Sequence, residues 1–200
     1  DRLGINQSTA ITCVKPEGTS SLVLSTGSGI HPHHHRKYIR RVQCNKIDNV
    51  YRHFKKSNPL LCEPSVWSAN QTDDVISFPI EVSDKAKIKN ELTAIEHLEI
   101  IKSTQKNWVL TGTTEANTKP IEHNVSCTVI VDKDEWETVC QYLFDNRNFF
   151  AAVSLIAKSG DKDYIQAPNE AIITEEDFVK FQFLKDNLKS VNYKDLKEDE

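Results

Sequence analysis

Methionine is missing from all 200 residues, position 1 included. The chain opens on Asp1-Arg2-Leu3-Gly4 and closes on Lys197-Glu198-Asp199-Glu200, so both ends read as cut from something longer. No apolar run approaches the roughly 20 residues that span a bilayer, and nothing at the start is built like a signal peptide. The expectation is a cytoplasmic chain with no membrane partner. A basic excess is missing as well. The formal net charge is −4, which argues against a nucleic-acid scaffold. The one basic stretch, Arg36-Lys37-Tyr38-Ile39-Arg40-Arg41, is short and interrupted by apolar residues. It reads as a strand with a charged, solvated face. Cys13, Cys44, Cys62, Cys127 and Cys140 are odd in number, and no two are spaced CxxC. Neither a disulfide framework nor a zinc site is indicated, and scattered single thiols fit a reducing compartment.

What is present suffices for a core. Hydrophobic residues make up 38% of the chain and charged residues 27%, within the globular range. The default is one domain or a large piece of one, here residues 1–190, followed by a charged tail over 191–200. Thr9 to Val14 is a short β-rich run, broken by Lys15-Pro16-Glu17-Gly18. Tyr38 to Val42 reads as a strand. Asn45 to Lys56 reads as a helix with Ile47, Val50, Tyr51 and Phe54 at helical spacing, ended by Asn58-Pro59. Ile76 to Val82 is a strand, placed at an edge by Pro79. Asn90 to Trp108 is the longest helix, with Leu92, Ile95, Leu98, Ile101 and Trp108 on one face. Gly112 to Pro120 is a loop.

Val125, Cys127, Val129 and Val131 alternate with Ser126, Thr128 and Ile130, which predicts a strand buried on one face. Asp132 can cap the next helix, with Glu135 at capping-box spacing. There Trp136, Val139, Cys140, Leu143 and Phe144 form an amphipathic stripe. Ala151 to Ala157 is a further strand, predicted parallel to the first with the Asp132–Phe144 helix packed across them. Glu175 to Leu188 is the last helix. Alternating strands and helices predict an α/β sheet or barrel with helices outside.

Three clusters could carry chemistry. In Lys15-Pro16-Glu17-Gly18-Thr19-Ser20-Ser21 a turn leads into a helix start. Backbone N–H groups and the helix dipole favour phosphate there, Gly18 permits close approach, and Thr19, Ser20 and Ser21 add hydroxyls. The competing reading is an ordinary strand-to-helix turn, and the spacing is not that of a Walker loop. His31, His33, His34 and His35 could bind a metal, but adjacent residues cannot all face one ion, so a surface or hinge loop is expected and no metal is assigned. Glu122-His123-Asn124-Val125-Ser126-Cys127-Thr128 suits the rim of an α/β barrel; the alternative is a polar entry to a structural strand, with Cys127 a core thiol.

Thr12-Cys13-Val14-Lys15-Pro16-Glu17-Gly18-Thr19-Ser20-Ser21 resembles the substrate-phosphate loop of ribonucleotide reductases. Class II enzymes usually read K-P-S-G-T there; here Glu17 replaces the serine, removing a hydroxyl and adding a carboxylate. Ser28-Gly29-Ile30-His31-Pro32 and Lys37-Tyr38-Ile39-Arg40-Arg41-Val42 look like the segment that follows. Thr93-Ala94-Ile95-Glu96-His97-Leu98-Glu99 resembles the family's A-I-E-Q-L-E helix. His123 to Val129, Asp134-Glu135-Trp136 and Tyr164-Ile165-Gln166-Ala167-Pro168 match further blocks in the same order. The set is similar to the adenosylcobalamin-dependent (class II) enzymes of the ribonucleoside-triphosphate reductase type, over nearly the whole chain.

The resemblance implies the C-terminal portion of a ten-stranded α/β barrel. It also implies adenosylcobalamin as cofactor, a ribonucleotide substrate and a thioredoxin-type reductant for the intact enzyme. Pro16, Glu17, Gly18, Thr19, Ser20 and Ser21 would bind substrate phosphate. The family's N-x-C-G-E radical loop is not in this sequence, so no catalytic residue is assigned and the chain alone is expected to be inert. A second reading is a stand-alone nucleotide-binding module without redox chemistry; a third is a metal-binding protein using the His cluster.

Overall fold

Capping residues and apolar spacing set the element boundaries of the computed structural model. It describes every residue except 1, 2, 7, 19, 25, 114–121, 160–163, 195 and 197–200. In chain order the principal elements are α1 (Ser20–Val23), β1 (Lys37–Asn45), α2 (Asn49–Ser57), β2 (Cys62–Pro64) and β3 (Asp73–Glu81). There follow α3 (Ala94–Thr104), β4 (Thr128–Val131), α4 (Trp136–Asp145), β5 (Ser154–Ala157), β6 (Asn169–Ala171) and α5 (Glu175–Asn187). They fall into two compact units, one of residues 1–33 and 86–159, the other of 34–85 and 160–200.

In the first unit β4 and β5 pair in parallel, Thr128 opposite Ser154 through Val131 opposite Ala157, as the strand–helix–strand order predicts. Val125, Cys127, Val129 and Val131 are all buried and join Leu98, Ile101 and Val139 in one core, so the alternation along this strand is borne out. A capping box starts α3, where Thr93 and Glu96 satisfy each other's backbone N–H groups. The carboxylate of Glu135 accepts from Asp132 N–H at 2.9 Å and from Ala94 N–H at 3.2 Å. One side chain thus ties the turn before α4 to the start of α3.

Several expectations are corrected here. Thr9 to Val14 forms only isolated bridges, Ala10 with Thr113 and Val14 with Val125. The long helix ends its α-helical part at Thr104 and continues as a π-helical turn over Gln105–Val109. That changes the phase of the apolar stripe, leaving Trp108 54% exposed while Val109 is buried. On α4 only Val139 is buried; Cys140 and Phe144 are exposed, because the helix meets the core along one narrow line. Asp132 precedes a turn rather than capping α4 directly, whose first residue follows Glu135.

The second unit is built on a four-stranded antiparallel sheet in the order β2-β3-β1-β6. This departs from the predicted alternating parallel pattern. β3 is an interior strand, not an edge. Pro79 is tolerated because β2 pairs only as far as Ile76. It also lies opposite Ile39, one step out of phase with the bonded pair Arg36–Val82, so its nitrogen faces away from β1. Asp48 caps α2, its side chain accepting from Tyr51 N–H at 2.7 Å. That moves the helix start past Ile47, and Ile47 and Val50 are exposed while Tyr51 and Phe54 are buried.

Ile39, Tyr51, Phe54, Leu61, Ile76, Phe181 and Leu184 form this unit's core. Arg41 is not on a solvated face as the basic stretch suggested. It is buried, donating to Ala167 O at 2.9 Å and paired with Glu170. The start of the tail is held: His53 Nε2 meets Asn192 O at 2.7 Å, and the His53 and Tyr193 rings are 5.5 Å apart.

Candidate functional site

The segment that reads as a phosphate loop is fastened at its near end by hydrogen bonds within the first unit. Ser126 N–H donates to Val14 O at 2.9 Å. Thr12 Oγ donates to Trp108 O at 2.8 Å, and the Trp108 indole N–H donates to Cys13 O at 3.3 Å. His123 Nδ1 lies 3.0 Å from Thr12 O. The chain then leaves β-like pairing at Lys15. Gly29, at φ +60, lies directly against this departure: a Cβ there would stand 3.1 Å from Lys15 O. Only glycine meets both conditions without strain.

Pro16, Glu17, Gly18 and Ser20 are exposed and Ser21 is buried. Thr19 lies outside the described residues. Ser20 and Ser21 begin α1, and among the described residues the N–H groups of Gly18, Ser20 and Ser21 donate to no backbone carbonyl. A Cβ added to Gly18 would meet nothing within 4 Å. Both serine hydroxyls are already engaged by Glu17: Ser20 Oγ donates to its carboxylate and Ser21 Oγ to its carbonyl. The available donors are therefore backbone amides, with a carboxylate beside them.

The next turn is held by two histidines. His31 Nδ1 lies 3.0 Å from Ser28 O, and Thr128 N–H donates to His31 Nε2 at 3.0 Å. An Nε2 that accepts leaves the proton on Nδ1, so His31 is the neutral Nδ1–H tautomer. His97 Nε2 lies 3.1 Å from both Ile30 O and Cys127 Sγ. Burial pushes His97 below its ordinary value and raises Cys127 to about 11, so both are neutral near pH 7. No local sequence signal marks this link beyond the position of His97 in a recognisable block. Among the described residues, no three His, Cys, Asp or Glu side chains converge as a metal site. The His31 ring makes the hydrogen bonds given above, and the His33 backbone forms a bridge to Ile88.

No protein-family model matches the chain. An adenosylcobalamin-dependent ribonucleoside-triphosphate reductase of Levilactobacillus brevis is 28% identical over 176 residues, covering 86% of this chain and 21% of that protein. A probable enzyme of the same description from Dictyostelium discoideum is 27% identical over 197 residues, 97% of this chain and 24% of that one. A crystal structure of a B12-dependent (class II) ribonucleotide reductase superposes with a TM-score of 0.65 at 21% identity, over 86% of this chain and 22% of that chain. By sequence and by fold the chain is similar to class II ribonucleotide reductases. It spans about a fifth to a quarter of the length of the reductases it matches. The chain's mixed α/β fold, with small sheets, is similar to that reductase structure.

Proposed function

We propose that this chain is part of an adenosylcobalamin-dependent ribonucleotide reductase that converts ribonucleotides, as triphosphates, to 2′-deoxyribonucleotides by a thiyl-radical mechanism. In this reading residues 1–190 contribute strands and helices to a ten-stranded α/β barrel, with 191–200 leading on as a tail. Pro16, Glu17, Gly18, Thr19, Ser20 and Ser21 hold substrate phosphate. A thioredoxin-type protein reduces the intact enzyme. The observation that carries the reading is the placement of Gly18, Ser20 and Ser21 at or just before the start of α1, their N–H groups donating to no backbone carbonyl among the described residues, within a similarity that covers 86% to 97% of the chain.

Adenosylcobalamin would supply the radical. Among the described residues no three His, Cys, Asp or Glu side chains converge on a metal site, and its contacts are assigned to no residue here. The chain's own part is to bind and orient phosphate. The stand-alone binding module is less favoured, because the similarity runs through both units rather than through the loop alone.

Gly18→Ala tests the site. Its Cβ meets no protein atom, so stability stays within about 0.5 kcal/mol of the parent, while a phosphate resting on the loop is obstructed. Amide NMR of the full chain titrated with nucleoside triphosphate should shift Gly18, Ser20 and Ser21, and the substitution should remove those shifts. Unchanged shifts in the variant, or none in the parent, would refute the assignment.

A further inference from the structure

A second feature of the chain owes nothing to the loop. Asn49, Arg52, His53 and Lys56 recur at i, i+3, i+4 and i+7 and share one face of α2. The opposite face buries Tyr51 and Phe54. The polar face opens on a pocket of about 570 Å³, lined by Lys46, Arg52, His53, Lys55, Lys56 and Asp74 among others. Four permanent cations thus stand against one carboxylate, in a chain whose net charge is −4.

The carboxylate does not consume the cations. Asp74 holds Lys55 at 2.6 Å and faces Lys46 at 3.5 Å. Lys46 Nζ also donates to Gln71 O at 2.6 Å. Among the described residues Arg52 spends only Nε, on Lys46 O at 3.0 Å. Among the described residues no carboxylate pairs with Arg52 or Lys56. His53 is held in place by Asn192 O. At the floor, the Asp74 side chain is 1% exposed; its Oδ2 takes Tyr51 and Lys55, while its Oδ1 makes no hydrogen bond and faces the Lys46 ammonium at 3.5 Å. A solvated charge stripe explains neither the concavity nor two cations on its wall that no carboxylate pairs with among the described residues. A ligand with anionic oxygens accounts for both.

We propose that this pocket binds a small phosphate compound carrying two or more negative charges, with Arg52 and Lys56 gripping the phosphate oxygens. Guanidinium and ammonium groups are the side chains suited to that chemistry. The test uses the full chain, with amide NMR and calorimetry, titrated separately with inorganic triphosphate, ATP and adenosine. Triphosphate and ATP should shift the amides of Arg52, His53 and Lys56, and adenosine should not. Tighter binding of ATP would identify a nucleotide. Equal binding would identify the phosphate chain alone, and either result supports the pocket.

The double variant R52A/K56A, its fold checked by circular dichroism, should weaken binding by roughly tenfold per cation removed, the scale of a charge-assisted hydrogen bond. R52K/K56R should retain most of it. Gly18→Ala should leave the α2 shifts untouched, which separates this pocket from the loop. No α2 shift up to about 10 mM triphosphate, an affinity too weak to matter, or a double variant binding within twofold of the parent, would overturn the proposal.

Discussion

Replacing Asp74 by Asn measures how much one buried charge stabilises the second unit. The Asp74 side chain is 1% exposed and accepts from the Tyr51 hydroxyl and from Lys55. Burial alone would raise its pKa. The bonds from Lys55 and Tyr51, with the charges of Lys55 and Lys46, outweigh burial and hold the carboxyl below its ordinary 3.8. Asn preserves the shape and can still accept from Tyr51, but it loses the charge and brings an NH₂ among donors. Removing one partner of a buried pair costs about 3–5 kcal/mol when the other is stranded, and a hydrogen bond to a charged group contributes about 1.5–3 kcal/mol. The survivors Lys46 and Lys55 are 37% and 46% exposed, so water takes them up. The lower scale applies, about 2 kcal/mol, or a fall in melting temperature of about 4–8 °C for a chain of this length.

The sign with pH follows from the lowered folded pKa. Asp74's contribution is complete above the unfolded value and is lost as pH falls through the folded one. Parent and variant should therefore differ at pH 7, and the gap should close only as pH falls below the ordinary 3.8 and through the lowered folded value. Denaturant titrations across that range make the measurement. A difference under about 0.5 kcal/mol at pH 7, the level of an ordinary surface change, or a gap that persists at low pH, would refute the reasoning.

Four further outcomes are expected. Cys13 and Cys140 are exposed while Cys127 is buried with its thiol raised to about 11; in a thiol-labelling time course the first two should react promptly and Cys127 only on unfolding. Gly29→Ala should destabilise by about 1–2 kcal/mol, because φ is +60 and the new Cβ abuts Lys15 O; thermal melts read this directly, and a neutral result would contradict the local geometry. Glu17→Ser should tighten nucleoside triphosphate binding, since it removes a carboxylate from beside the loop amides; calorimetry would show weaker binding if Glu17 instead orders the loop. Incubated with nucleoside triphosphate, adenosylcobalamin and a dithiol, the chain alone should give no deoxynucleotide; turnover above background would make one of its five cysteines catalytic.

Elements whose signals were local were legible in the sequence. The alternation from Val125 to Val131, the capping box at Thr93 and Glu96, and the Asn58-Pro59 stop all act within a few residues. Non-local facts were not. Whether β3 lies inside the sheet depends on β2, a three-residue strand with no periodicity of its own. The stripe on α4 was over-read because amphipathic spacing states which residues could be buried, whereas the width of the contact decides which are. Arg41 gave no sign of burial, since its partners Ala167 and Glu170 lie more than 120 residues away. At the candidate site, glycine and hydroxyl spacing marked the loop. The fastening by His31, His97 and Cys127 joins three separate segments, and no single stretch of sequence encodes it.

The loop's own donors bound what it can do. Ser20 and Ser21 have committed their hydroxyls to Glu17, so a phosphate must either displace them or rely on the amides of Gly18, Ser20 and Ser21. Three charge-assisted bonds at about 1.5–3 kcal/mol each give a gross figure of about 5–9 kcal/mol. Association costs at least about 4 kcal/mol in lost translation and rotation. Repulsion from the Glu17 carboxylate lowers the remainder further. What is left, at most about 1–5 kcal/mol before that repulsion, mostly falls short of the 4.1 kcal/mol that corresponds to about 1 mM. If the loop holds phosphate as proposed, it orients a phosphate that other groups hold, and tight binding has to draw on contacts beyond these residues. Affinity for nucleoside triphosphate much tighter than millimolar at the Gly18–Ser21 amides would mean that Glu17 turns away on binding and releases both serine hydroxyls.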